Sequence, residues 1–156
     1  SDGNGKFHLQ TESPDEEALV EFAAKMGFEF VRRKGAKSMV VKQGGTEVEY
    51  PVLAVIPFNS DRKRMSVIVQ LPKGDLFLYC KGADSVMLNL LSPTSKYVSE
   101  TQQHLKDFSE EGLRTLICAS RTLDLPTFRA WHLRWQTAKK SIGAERQQQL
   151  DIVGAE

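Results

Sequence analysis

The sequence predicts an α/β protein in the broad α+β sense, a mainly antiparallel twisted sheet flanked by helices. Three observations lead there. Short alternating or β-branched stretches follow one another through the middle of the chain. The turns between them are too short for a crossover, so neighbours must pair antiparallel. Stretches with apolar residues at helical spacing lie on both sides of this region.

The elements follow in order. The first ten residues read as a lead-in, flexible over residues 1–8. Thr11-Glu12-Ser13-Pro14-Asp15-Glu16 then starts a helix: Ser13 caps, Pro14 suits the first helical position, and Glu16 completes a capping box. Ala18, Leu19, Phe22, Ala23 and Met26 share one face, and Gly27 is a natural stop. Strands are expected over Phe28 to Arg32, Ser38 to Lys42 and Thr46 to Tyr50, with Gly44-Gly45 as the hairpin turn between the last two. Val52 to Ile56 extends the third run up to Pro57. Met65 to Leu71 and Leu76 to Cys80 flank the turn Pro72-Lys73-Gly74-Asp75. Helical spacing returns after Asp84, first through Val86, Met87, Leu90 and Leu91. It resumes through Tyr97, Thr101, His104, Leu105 and Phe108 until Gly112. Leu113 to Thr122 reads as a buried strand. Phe128, Trp131, Trp135 and Ala138 mark another helix, and Glu145 to Leu150 a short last one.

The bulk numbers exclude several classes. The 156 residues suit a single domain, 1–156, with one substantial core. A net charge of +1 argues against a dedicated nucleic-acid binder, which carries a basic excess. No apolar run approaches the roughly 18 residues of a membrane span. The polar start, without Met, reads as that of an excised segment. Cys80 and Cys118 each sit in an apolar stretch and are expected to be buried free thiols. His8, His104 and His132 form no metal-ligand spacing with them.

Four segments could carry chemistry. In Phe58-Asn59-Ser60-Asp61-Arg62-Lys63-Arg64-Met65-Ser66, a strand ends at an aromatic residue and a basic turn follows. The aromatic face can stack on a base and the cations can balance phosphate; equally, this pattern describes a solvated turn with Phe58 in the core. In Tyr79-Cys80-Lys81-Gly82-Ala83-Asp84, Lys81 would project from a strand end as a compact charge. Gly82 would let another group approach the backbone, and Asp84 would cap a helix. In Glu111-Gly112-Leu113-Arg114-Thr115-Leu116, a buried Arg114 would need a partner, either an internal carboxylate or a bound nucleotide. Ser13-Pro14-Asp15-Glu16-Glu17 is at least a helix cap. No Gly-rich loop ending in Gly-Lys-Ser/Thr is present, which excludes a P-loop nucleotide fold.

Taken together and in order, Ser13-Pro14-Asp15-Glu16, the stretch Phe58 to Val67, Lys81-Gly82-Ala83-Asp84 and Gly112-Leu113-Arg114-Thr115-Leu116 resemble the nucleotide-binding domain of the P-type ATPases. The resemblance runs from about Leu9 to the end. Ser-Pro-Asp-Glu, Arg-Lys-Arg-Met-Ser-Val and Lys-Gly-Ala-Asp look like the phospholipid flippases, whereas cation pumps carry Pro-Glu after Lys-Gly-Ala. The resemblance implies that fold, and an ATP-binding domain excised from a larger pump. Phe58 would stack on adenine, and Glu16 would lie near its exocyclic amine. Lys81 would line the pocket, Arg114 would reach the phosphates, and Lys63 would contact phosphate. Ser60, Met65 and Leu116 would complete the walls, with Gly82 and Thr115 beside the nucleotide.

The phosphorylated aspartate of such pumps lies in an Asp-Lys-Thr-Gly-Thr loop, which this sequence lacks. The resemblance therefore implies no catalytic or metal-ligating residue here. The domain would bind the adenine and orient the phosphates for phosphoryl transfer to an aspartate on another, absent domain, and the parent would use Mg2+ not liganded by this domain alone. Its partners would be the phosphorylation and actuator domains, with an accessory subunit and no nucleic acid. The domain would be the cytoplasmic part of an integral membrane protein. Two alternatives share the fold: a cation-pump domain, and a non-catalytic interaction module.

Overall fold

The computed structural model describes residues 13–141 and 144–155. The lead-in expected over residues 1–8, with Thr11 and Glu12, lies outside the described residues. The chain forms two compact units, one ending at Pro51 and one beginning at Val52.

The first unit opens with α1 (Pro14–Lys25). Ser13 caps it as expected, its Oγ accepting from the Glu16 N–H at 3.3 Å, and Pro14 fills the first turn. The Met26 N–H closes on the Phe22 and Ala23 carbonyls, and Gly27 at φ +91° ends the helix. The apolar face is present but not buried: Phe22 and Met26 are each 62% exposed. β1 (Phe28–Lys34) pairs with β2 (Ser38–Gln43), which pairs with the first half of β3 (Thr46–Ile56). Gly44 and Gly45 both have positive φ, which a two-residue type I′ hairpin turn requires, and they fix the Gln43–Thr46 register. The two runs expected over Thr46 to Tyr50 and Val52 to Ile56 are one strand, with Pro51 inside it.

The second unit holds the rest of β3, then β4 (Arg64–Gln70), β5 (Leu76–Gly82) and β6 (Ile117–Leu123). The six strands follow one another in sheet order, each pair antiparallel, as expected. Between β5 and β6 run α2 (Asp84–Leu90) and α3 (Val98–Glu110); α4 (Leu125–Lys140) and α5 (Ala144–Ala155) follow β6.

The pleat sorts the residues of this sheet. Ala54, Ile56, Ile68 and Leu78 share one face by register and pack with Trp135 of α4. Leu123, Trp131, Leu150 and Val153 extend that core, so α4 and α5 cover this face. Cys80 is on it too, its Sγ 3.6 Å from Met87 of α2. The opposite face carries Val55, Val67, Tyr79, Met65 and Lys81, and Val55 and Tyr79 remain exposed.

Four expectations need correction. Leu113 to Leu116 are not strand; β6 begins at Ile117, after Gly112 at φ +72° has ended α3. Tyr97 is not on the helix face. It is the N-cap residue of α3, left-handed at φ +61° and exposed. Asp84 does not cap α2: Ala83 does, and the Asp84 carboxylate accepts from the adjacent Ser85 N–H. Cys118 is exposed, because it lies on the face away from α4 and α5; Cys80 is half-buried.

Candidate functional site

The apolar end of β3 sets the position of the first segment. Ile56 is buried in the core, and the chain then leaves the sheet through Pro57 and turns back into β4 at Arg64. Phe58 stands on this turn, 62% exposed, so it is not a core residue. Ser60 and Lys63 are exposed on the same turn, and Lys63 holds a left-handed φ of +50°, unusual for a residue with a Cβ.

Lys81 is the penultimate residue of β5, one position before the strand ends. β5 continues through Gly82, so Lys81 lies inside the sheet, directly opposite Met65 on one side and Cys118 on the other. It is half-buried on the face away from α4 and α5. Partial desolvation raises the Cys118 thiol above its ordinary value, and the Lys81 charge opposes that rise. Lys81 therefore stands on the middle one of three paired strands, one residue from the end of β5.

Gly82 is buried between Arg64 and Ile117. A Cβ there would fall 2.6 Å from the Arg64 Cβ and 2.7 Å from the Lys63 carbonyl oxygen. The group that approaches Gly82 closely is therefore the neighbouring strand. The same carbonyl accepts from the Ala83 N–H at 3.1 Å, locking the end of the turn to the end of β5. Arg114, Thr115 and Leu116 form the segment that enters β6 beside Gly82. Arg114 and Leu116 are exposed and Thr115 is half-buried, so Arg114 is not a buried charge. The start of β4, the end of β5 and the start of β6 thus bring Met65, Lys81 and Gly82 into register, with Lys63 just before β4, Leu116 just before β6 and the Phe58 turn leading into β4. Glu16 belongs to the first unit, half-buried in the first turn of α1.

A family model described as "P-type ATPase, cytoplasmic domain N" matches residues 1–154. The chain belongs to this family.

Domain N from this chain is similar to phospholipid-transporting ATPases. It is 44% identical to "Phospholipid-transporting ATPase ID" of Mus musculus over 131 residues, covering 83% of this chain and 11% of that protein. The corresponding protein of Homo sapiens is 43% identical over 128 residues, covering 81% of this chain and 10% of its own length. "Phospholipid-transporting ATPase DRS2" of Saccharomyces cerevisiae is 40% identical over 153 residues, covering 97% of this chain and 11% of its own length. Domain N here therefore spans about a ninth of each relative, as those shares give. No helix among its described residues is long and apolar enough to cross a membrane.

Two residues in domain N gain roles that their residue type did not disclose. Arg62 is only 7% exposed, although it opens a basic triplet. Its Nη1 donates to the Pro57 carbonyl at 3.0 Å and its Nη2 to Ser66 Oγ at 3.5 Å, while its Nε is buried with no hydrogen-bond partner among the described residues. Burial lowers its pKa, and the nearby Arg64 charge adds to that. Arg64 bonds back to the Arg62 carbonyl at 3.3 Å. The triplet therefore does not present three cations to solvent, and Arg62 is a structural part of the turn. Asn59 is the second. Its Oδ1 accepts from the Arg62 N–H at 2.7 Å, and its Nδ2 donates to Asp151 of α5 at 2.9 Å.

Proposed function

We propose that this domain N binds ATP through the second unit, with adenine against Phe58, Met65 and Leu116 and the phosphates toward Lys63, Lys81 and Arg114. It then orients the phosphates so that the terminal phosphoryl group can pass to an aspartate on another domain of a phospholipid-transporting parent, with ADP as the leaving group. The observation that carries this reading is the position of Lys81, set in the sheet between Met65 and Cys118 and beside the start of the strand that follows the Phe58 turn. An exposed aromatic ring on the turn that leads into β4 and a cation anchored in the neighbouring β5 offer the two complements of a purine nucleotide, a flat π surface and a charge for a polyanion. The resemblance of the sequence motifs to the family adds Ser60, Gly82 and Thr115 to the proposed surroundings.

What this chain's residues do is positioning. Phosphoryl transfer places little covalent demand on protein groups and much on orientation and charge. Phe58 would fix the base and Lys81 the direction in which the phosphates leave it. Mg2+ would come with the nucleotide and the parent's other domains. Among the described residues, no three His, Cys, Asp or Glu side chains are grouped to hold a metal. ATP hydrolysis, lipid movement across a membrane and contact with phosphorylation and actuator domains belong to that parent. The names of the relatives support a lipid over a cation as its cargo.

With part of the phosphate apparatus absent, affinity is expected near about 1 mM. The test is an ATP titration followed by amide chemical shifts. Shifts are expected around Phe58, Lys81 and Arg114, and Phe58→Ala is expected to weaken binding by about 1–3 kcal/mol, the range of one aromatic–base stack. An absence of shifts at several times the expected constant (about 5 mM), or a folded Phe58→Ala variant that binds like wild type, rejects the reading.

A further inference from the structure

We infer that α5 is a working part of the nucleotide site: Asp151, acting through Asn59, is a positioning residue that holds the Phe58 turn in the pose that receives the base. This rests on the reading of Phe58 as the base platform.

The need for such a device follows from exposure. A ring that is 62% exposed has little packing to fix its direction, so the backbone beneath it must do so. Within the turn, the Lys63 N–H bonds the Asn59 carbonyl at 2.8 Å, and the Arg62 N–H bonds Asn59 Oδ1 at 2.7 Å. Arg62 reaches the Pro57 carbonyl and Ser66. All of these stay within the turn and β4, and could move with it as a body. The bond from Asn59 Nδ2 to Asp151, across 92 positions of sequence, ties the turn to a different element. Asn59 is the residue next to Phe58. Its amide is used at both ends, a donor toward Asp151 and an acceptor for Arg62, so a residue with only one of these functions cannot replace it.

The far end of the tie is itself fixed. Trp131 Nε1 donates to the Val153 carbonyl at 2.9 Å. A Cβ on Gly154 would lie 3.1 Å from Ile56 Cγ2 and 3.4 Å from Trp135, so α5 sits tight on the end of β3. Gln147 holds the same Asp151 oxygen at 2.9 Å. The acceptor is a carboxylate oxygen in a partly buried position.

The experiment uses the 156-residue chain, with ATP affinity and amide hydrogen exchange as readouts. Asp151→Ala is expected to raise the ATP dissociation constant about tenfold and to speed exchange at the Arg62 and Lys63 amides by a similar factor. Asp151→Asn keeps an acceptor and is expected to bind like wild type. Asn59→Asp removes the donor and sets two carboxylates face to face, so it should behave like Asp151→Ala. Combining Asn59→Asp with Asp151→Asn reverses the donor and acceptor and should restore both readouts. In a Phe58→Ala background, Asp151→Ala should add no further loss of affinity; general damage to the fold would still add one.

Wild-type affinity and exchange in folded Asp151→Ala and Asn59→Asp overturn the inference, as does failure of the swapped pair to recover. If Asp151→Ala does not fold, Asn59→Asp and the swapped pair decide. If wild type shows no ATP shifts, or Phe58→Ala binds like wild type, the nucleotide reading itself has failed and this inference falls with it. The exchange rates then report separately whether Asp151 holds the turn.

Discussion

Gly82 shows how one missing side chain lets β4 and β5 come together at the end of the turn. Its neighbours at 2.6 and 2.7 Å are the Arg64 Cβ and a backbone oxygen, neither of which can swing away as a side-chain tip would. Gly82→Ala is therefore expected to destabilise the domain by about 1–3 kcal/mol, the usual cost of forced overpacking, seen as a lower midpoint in denaturant unfolding. An unchanged midpoint would mean that β4 and β5 can part without cost. At this scale the sequence disclosed residue types better than directions. Phe58, Lys81 and Arg114 stand out by type and context. That Arg62 turns inward, while Lys63 beside it turns outward, depends on the Pro57 carbonyl and Ser66, which the fold brings to it. The partnership of Asn59 with Asp151 was beyond local reading because no periodicity links positions so far apart.

Among the elements, legibility followed the strength of local backbone demands. The start of α1 and the Gly44-Gly45 hairpin were readable because capping hydrogen bonds and positive φ are requirements of a few adjacent residues. The start of α4 was not recognised, although its signal was present. Asp124 accepts from the Thr127 N–H at 2.9 Å, with Pro126 in the first turn. The stretch Leu113 to Leu116 misled in the other direction. Its apolar composition suggested a strand, but it approaches the sheet only at Ile117, where pairing with Gly82 begins.

Asp124 carries a pH prediction. The backbone hydrogen bond from Thr127 holds its folded-state pKa below the ordinary 3.8. A depressed carboxylate contributes stability above its unfolded value, and that contribution disappears as pH falls through the folded one. Asp124→Ala should therefore melt below wild type at neutral pH, and the gap should narrow as the pH is taken below 3.8. A gap of constant size in thermal melts across that range would show that the carboxylate charge does not support the cap.

At the scale of the molecule, the two compact units differ in what fills them. The second has a core that joins Ala54, Ile56, Ile68 and Trp135, whereas α1 in the first has no buried residue. The general class, helices on an antiparallel sheet, was legible because turn lengths alone force neighbouring strands together. The amphipathic face of α1 gave no comparable guide to burial, since periodicity states which residues could be covered and not what covers them. Both tryptophans of the chain, Trp131 and Trp135, lie in α4. Fluorescence-monitored unfolding thus follows the second unit. Trp135→Ala should reduce its stability by about 3–5 kcal/mol, the range for emptying a buried aromatic site. With Trp131 as the remaining probe, an unshifted transition would contradict the place of Trp135 at the centre of this core.

The strand order, each ribbon beside its predecessor, also bears on how the chain is made. During synthesis each strand from β2 through β5 emerges to find its partner already outside the ribosome, so each closure is short and entropically mild. β6 alone must wait for two intervening helices. Until Ile117 is translated, the free edge of β5 is a row of unpaired amides and carbonyls, the kind of edge that invites pairing with another chain.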